Sequence, residues 1–105
     1  MKLITVYTSV ATQDDARRMA RAVVERKLAA CAQVCAIESF YVWQGETRNE
    51  PEWRVAFKTT ADRYGELESA IRELHPYELP DIHAVPIEQV WAEYGAWVEA
   101  GSRGE

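Results

Sequence analysis

The order in which hydrophobic periodicities follow one another constrains the fold of this chain more than any other feature. Two long stretches repeat apolar residues at helical spacing, and β-branched and aromatic runs typical of strands flank them. The predicted elements are strands at 3–8, 30–43, 53–59 and 81–87 and helices at 12–28, 62–74 and 91–98. The order β-α-β-β-α-β followed by a last helix predicts an α+β fold, a ferredoxin-like sandwich with a C-terminal helix.

Two of the predicted strands, the second and the fourth, are expected at the edges of the sheet. Pro86 falls inside the fourth, and proline, which has no backbone N–H, is tolerated mainly at sheet edges. The second strand is much longer than the usual length of about five or six residues, so we expect a bend or a bulge within it. Because a long exposed edge is a template for pairing with another chain, the pattern favours an oligomer.

The remaining segments are interpreted as connections and ends. Residues 44–52, QGETRNEPE, are typical of a turn, and the closing residues AGSRGE are expected to fray. Thr12 is predicted to cap the first helix. Pro76 is predicted to end the second, because the residue before a proline avoids the helical conformation.

Composition limits the function. The 105 residues are expected to form one domain, 1–105, and 12 basic against 17 acidic residues leave no positive field for nucleic acid. No apolar run is long enough for a signal peptide or a membrane span, so we expect no membrane partner and a cytoplasmic location. The sequence has neither a glycine-rich phosphate loop nor a G-x-S-x-G motif, which gives an enzyme no support.

The two cysteines, Cys31 and Cys35, are predicted to be free thiols. On one strand they would lie about 13 Å apart, which is too far for a disulfide. Cys31 has alanine neighbours and is interpreted as a small core residue, with a thiolate metal ligand as the alternative.

Both histidines fall within one short stretch, ELHPYELPDIHAVPI at 73–87. His75 is interpreted either as a cation at the end of a helix or as an imidazole that binds a divalent metal. His83 follows Asp81 by two residues, and the pair are plausible ligands for copper or zinc, although two ligands do not complete a tetrahedral site. The alternative for His83 is a histidine at a subunit surface, and we expect it to matter less for metal than His75.

Five segments give the chain a resemblance to a known family. ERKLAAC, YVWQGE, FKTT, ELHPYELPDIHAVPI and EYGAW follow one another as in the CutA family, which is named for divalent cation tolerance. The resemblance implies a tight homotrimer of ferredoxin-like subunits with the architecture of PII signalling proteins. It also implies binding of divalent metals, copper first, and no established catalytic activity. A PII-like sensor of a small molecule, with metal binding incidental, is the alternative.

The resemblance also implies clefts between subunits and candidate residues within them. A small-molecule or metal ligand would lie against an aromatic wall and a charged pair, formed by Tyr41, Trp43, Tyr77, Lys58 and Glu78. The candidate metal ligands are His75, Cys31 and His83. The chain departs from the family pattern at position 83, which is usually aliphatic, and at Cys35, which is an additional cysteine.

Overall fold

A computed structural model describes residues 2–103 of the chain. Its elements are β1 (Leu3–Val10), α1 (Gln13–Glu25), β2 (Cys31–Trp43), β3 (Glu46–Thr60), α2 (Tyr64–Leu74), β4 (His83–Ile87) and α3 (Ala92–Gly101), with a short 3-10 turn before α2. The strands form an antiparallel sheet in the order β2-β3-β1-β4. This order confirms the ferredoxin-like α+β fold and places the second and fourth strands at the edges.

The hydrophobic core lies between one face of the sheet and the helices α1 and α2. Val6, Val55 and Phe57 of the central strands are fully buried there, against α1 and α2 residues such as Met19 and Leu67. Because side chains alternate along a strand, the intervening residues lie on the opposite face. We call this second face, which carries Tyr7 of β1, Ala56 of β3 and their neighbours in register, the open face.

The strands β2 and β3 form one long hairpin, and the turn predicted at 44–52 is correct for its first two residues and wrong for residues 46–52. Only Gln44 and Gly45 turn the chain, with φ angles of 52° and 77°, and β3 begins at Glu46. Two residues with positive φ match the right-handed twist of the flanking strands, which explains the tight turn. The polar stretch that follows pairs with β2 through its backbone, which needs no apolar side chains.

Of the bend or bulge predicted in β2, the bulge is absent. Pairing runs from Cys31 opposite Lys58 to Trp43 opposite Glu46 without a break in register. The pairing of β1 with β3 stops at Val10 opposite Trp53, so the rest of the hairpin projects beyond the central strand. The length of β2 is accommodated because the hairpin extends beyond the central strand, and no bulge is needed.

The ends of the helices follow local signals. Thr12 caps α1 as predicted, since its hydroxyl accepts a hydrogen bond of 3.1 Å from the Asp15 amide, and α2 ends at Leu74, before Pro76. The prediction that the tail frays is wrong for residues 100–103, because Ser102 is fully buried and Arg103 forms an ion pair of 2.6 Å with Asp62. Residues 104 and 105 lie outside the described residues.

None of the helices between residues 2 and 103 is long and apolar enough to cross a membrane.

Candidate functional site

The connection from α2 to β4 begins at His75, whose imidazole is buried. The backbone N–H of Tyr77 donates to Nδ1 over 3.1 Å, so the other nitrogen, Nε2, carries the hydrogen and donates it to the Ser9 carbonyl over 2.9 Å. Burial lowers the pKa of the His75 imidazole, against the opposing effect of the bond to Ser9 and of nearby acids. A neutral ring with both nitrogens engaged therefore holds the connection against β1.

The same connection is attached to β1 a second time, near its far end. The Asp81 carboxylate accepts hydrogen bonds from the Ser9 amide over 3.2 Å and from the Ser9 hydroxyl over 2.5 Å. Ser9 thus anchors both ends of the segment 75–81. Both Asp81 oxygens are engaged at this anchor, and the structure does not show Asp81 acting together with His83.

Tyr77 reaches from this connection to the base of the projecting hairpin. Its hydroxyl donates to the Glu52 carboxylate over 2.6 Å, and its ring lies 4.8 Å from that of His75. Burial first, and then the hydrogen bond to Glu52 and its charge, raise the pKa of the Tyr77 phenol. The phenol therefore stays protonated and donates to a carboxylate that is itself nearly buried.

Tyr41 lies near a second acid of the hairpin, Glu50. Desolvation first, and then a hydrogen bond to Glu50 and the charges of Glu50 and Glu52, raise the pKa of the Tyr41 phenol. The structure thus brings Tyr41 and Tyr77 together around two acids that the sequence analysis missed. Their spacing puts both on one face of a strand, but the stretch has no apolar alternation that would have revealed the strand, and it was interpreted as a turn.

The other predicted ligand-lining residues are spread over the molecule. Trp43 lies half exposed at the end of the hairpin, and Glu78 lines a shallow depression with Tyr77 and Pro80. Lys58 lies on the open face, where its ammonium group is 5.5 Å from the centre of the Tyr94 ring in α3. The structure therefore does not bring Lys58 and Glu78 together as a charged pair.

The two remaining candidate metal ligands lie at opposite edges of the sheet. The Cys31 sulfur, half-buried at the start of β2, is 4.0 Å from the Tyr94 hydroxyl. His83 is the first residue of β4 and is exposed. Its ring stacks on that of Tyr7, with ring centres 5.3 Å apart. Among residues 2–103, no three His, Cys, Asp or Glu side chains lie close enough to hold a metal ion. The free state of Cys31 and Cys35 is as predicted.

Comparisons with known proteins agree over nearly the whole chain. A sequence profile described as "CutA1 divalent ion tolerance protein" matches residues 4–101. The "Divalent-cation tolerance protein CutA" of Thermotoga maritima is 38% identical over 96 residues, 91% of this chain and 95% of that protein.

Solved structures agree as well. CutA from Synechococcus elongatus superposes with a TM-score of 0.93 at 33% identity, covering 96% of this chain and 90% of that one. The "Periplasmic divalent cation tolerance protein CutA" from Archaeoglobus fulgidus gives 0.92 at 29% identity, covering 95% and 98%. The similarity includes the hairpin and the connection after α2.

Proposed function

Because the chain belongs to the CutA1 divalent ion tolerance family, we propose that it binds divalent cations, copper(II) first, between the subunits of a homotrimer. Copper(II) heads the affinity order of the divalent first-row metals for a given set of nitrogen, oxygen and sulfur ligands. The family is named for tolerance of divalent ions and not for a reaction, and in our proposal the chain acts by binding and not by catalysis.

The exposed surface of a single chain supports assembly. Phe40 and Val42 on the projecting hairpin are 69% and 68% exposed, and the outer edges of β2 and β4 have no partner strand among the described residues. Pairing β2 of one chain with β4 of the next joins two different surfaces. Contacts of this kind generate closed rings when the rotation between subunits closes, and a trimer is such a ring.

The placement of Cys31 and His83 carries the proposal for the metal site. Both lie on the open face, but on the two edge strands of a four-stranded sheet, which are about 14 Å apart at three strand spacings. Within one chain they do not meet. Pairing of β2 with the next subunit's β4 brings the two edges together, so that a thiolate from one chain and an imidazole from the next bind the same ion.

His75 has a different part in this proposal. It can bind a metal only by giving up a hydrogen bond to Ser9 or Tyr77. We therefore propose that it acts on the site through the position of the connection that leads to His83.

Calorimetric titration of the assembled protein with copper(II) tests these assignments. Cys31→Ser and His83→Ala are each expected to weaken binding by about 1–3 kcal/mol, the loss for removing one charged or hydrogen-bonding partner. His75→Ala is expected to weaken binding less, and Cys35→Ser is the matched thiol control that leaves it unchanged. Copper binding that is the same in the Cys31 and His83 variants as in the parent would contradict the proposal.

Mixed assembly tests the position of the site between subunits. When Cys31→Ser and His83→Ala chains are unfolded together and reassembled, one arrangement of neighbours combines an intact cysteine with an intact histidine. The mixture is expected to recover part of the tight binding that neither variant has alone. A site within one chain predicts no recovery.

A second candidate function is a PII-like sensor of a small molecule. Its support is the cluster of Tyr41, Tyr77, Glu50 and Glu52, where phenols and acids meet beside the half-exposed Trp43. Binding of a metabolite by metal-free protein, lost in Tyr77→Phe, would favour this function over cation binding.

We also propose a cytoplasmic location, a compartment in which free thiols such as Cys31 and Cys35 stay reduced. The Archaeoglobus fulgidus neighbour is described as periplasmic, so cell fractionation of the native host is the deciding measurement.

A further inference from the structure

Two cations on the open face of β3 have no acidic partner. Arg54 and Lys58 point to the same side of this strand, and in the part of the chain that the structure describes neither forms an ion pair. The chain as a whole has 17 acidic residues and a net charge of -5. No acidic residue occupies the positions that pair with these two cations on β1 or β2. The patch formed by Arg54 and Lys58 is therefore locally positive on a protein that is acidic overall.

Each of the two cations lies over a tyrosine ring. The Arg54 guanidinium carbon is 5.2 Å from the centre of Tyr7, and the Lys58 ammonium is 5.5 Å from the centre of Tyr94. A cation over an aromatic face is held in place while its N–H groups remain available as donors. Neither head group donates a hydrogen bond to another of the described residues.

Ala56 leaves a gap between the two cations. It lies midway between them on the open face, with Tyr7 opposite on β1 and the exposed Gln33 opposite on β2. The backbones of Arg54 and Lys58 are about 13 Å apart, so one small anion can reach both head groups only if the two side chains bend from the tyrosine rings toward the methyl group between them. The gap therefore has a small apolar floor, a cation at each end and an amide at one side.

The nearest acids at the Arg54 end already have partners. Asp81 accepts two hydrogen bonds from Ser9, and Glu52 accepts one from Tyr77. Both carboxylates keep their charge, and these bonds hold them at the Arg54 margin of the patch, outside the row of Ala56.

We propose that this patch binds a small anion with two negatively charged groups, a diphosphate or a dicarboxylate, one group at Arg54 and the other at Lys58. The guanidinium offers paired donors to an oxyanion, and the ammonium offers a point charge. The proposal goes beyond cation binding and uses neither Cys31 nor His83 as a ligand, so either function can fail without the other.

Calorimetry on metal-free, fully assembled protein tests the proposal. Inorganic pyrophosphate and succinate are the probes, and inorganic phosphate and acetate are their single-group counterparts. At least one probe is expected to bind about tenfold more tightly than its counterpart, since it gains a second charged hydrogen bond. The probe that binds identifies phosphate or carboxylate chemistry. Binding of neither probe, or equal binding of probe and counterpart, would overturn the proposal.

Variants locate the site. Arg54→Gln and Lys58→Gln are each expected to weaken probe binding about tenfold. Ala56→Leu fills the gap without removing charge and is expected to weaken binding as well. Arg21→Gln, which removes an exposed cation of α1 away from the open face, is the matched control and should bind as the parent does.

An equal loss in Arg21→Gln would show that the anions respond only to overall charge, and the proposal would be wrong. The unfolding midpoint and assembled mass of each variant are measured alongside. If Ala56→Leu does not fold, the two glutamine variants decide the outcome.

Discussion

Lys27, just after α1, has a φ of 62°, in the left-handed region that costs a residue with a side chain about 1–2 kcal/mol. Its position lets the Leu28 amide donate to the Val23 carbonyl, which closes the end of the helix. Lys27→Gly should relieve most of this cost, but glycine also gives the unfolded chain more conformational entropy, which opposes the gain. The net expectation is a free energy of unfolding in urea that is higher by about 0.5 kcal/mol. Glu25→Gly, inside the last turn of α1, is the control and should lower it; a loss in both variants would contradict the prediction.

His75 makes stability depend on pH at the scale of one residue. Burial lowers its pKa in the folded protein, so the unfolded chain takes up the proton first as the pH falls. The stabilisation by neutral His75 is therefore fully present above about pH 6.5, the pKa of an imidazole in the unfolded chain. It is lost as the pH falls through the lower pKa of the folded protein. Urea unfolding between pH 7.5 and 5 should show a shallower loss in His75→Gln than in the parent. An unchanged slope in that variant, or an equal change in His83→Gln, would show that His75 is not the group responsible.

The hairpin turn is the element that most depends on its backbone. Gly45 has a φ of 77°, and no atom lies within 4 Å of the position that an alanine methyl group would occupy there, so Gly45→Ala should cost about 1–2 kcal/mol through conformation alone. Gly65 in α2 has equally open surroundings and no positive φ, and Gly65→Ala should instead raise stability by about 1 kcal/mol. Thermal unfolding of the two variants checks the pair, and shifts of the same sign would contradict it.

Elements with a buried face could be predicted from the sequence, whereas those without one could not. α1 and α2 each bury a stripe of apolar residues, and Thr12 and Pro76 mark two of their ends. Residues 46–52 are polar except for Pro51 and lie where the hairpin projects from the sheet, so no alternation reveals the strand. The residues of the candidate site likewise include some that the sequence indicated and some that it did not. His75 and Tyr77 lie in a motif that the family resemblance covers, whereas Glu50 and Glu52 lay in the missed strand.

At the scale of the whole molecule, the projecting hairpin and the two open edges make assembly the central expectation. Light scattering in dilute buffer should give three times the chain mass of 12.0 kDa. Phe40→Lys places a charge on an exposed apolar position of the hairpin and should shift the mass toward that of one chain. The matched change Arg21→Lys on α1 keeps its charge and should leave the mass unchanged. A stable monomer in the parent protein would contradict the trimer.

The sheet order β2-β3-β1-β4 also bears on how the chain is made. β1 leaves the ribosome first, yet its neighbours come much later, since Leu3 pairs with Thr60 on one side and with Ile87 on the other. Until then the eight residues LITVYTSV are an uncharged, proline-free strand with two bare edges. Such a segment is prone to aggregate with copies of itself. A central strand of the finished sheet is thus the most vulnerable part of the nascent chain, and slow translation before β4 would prolong its exposure.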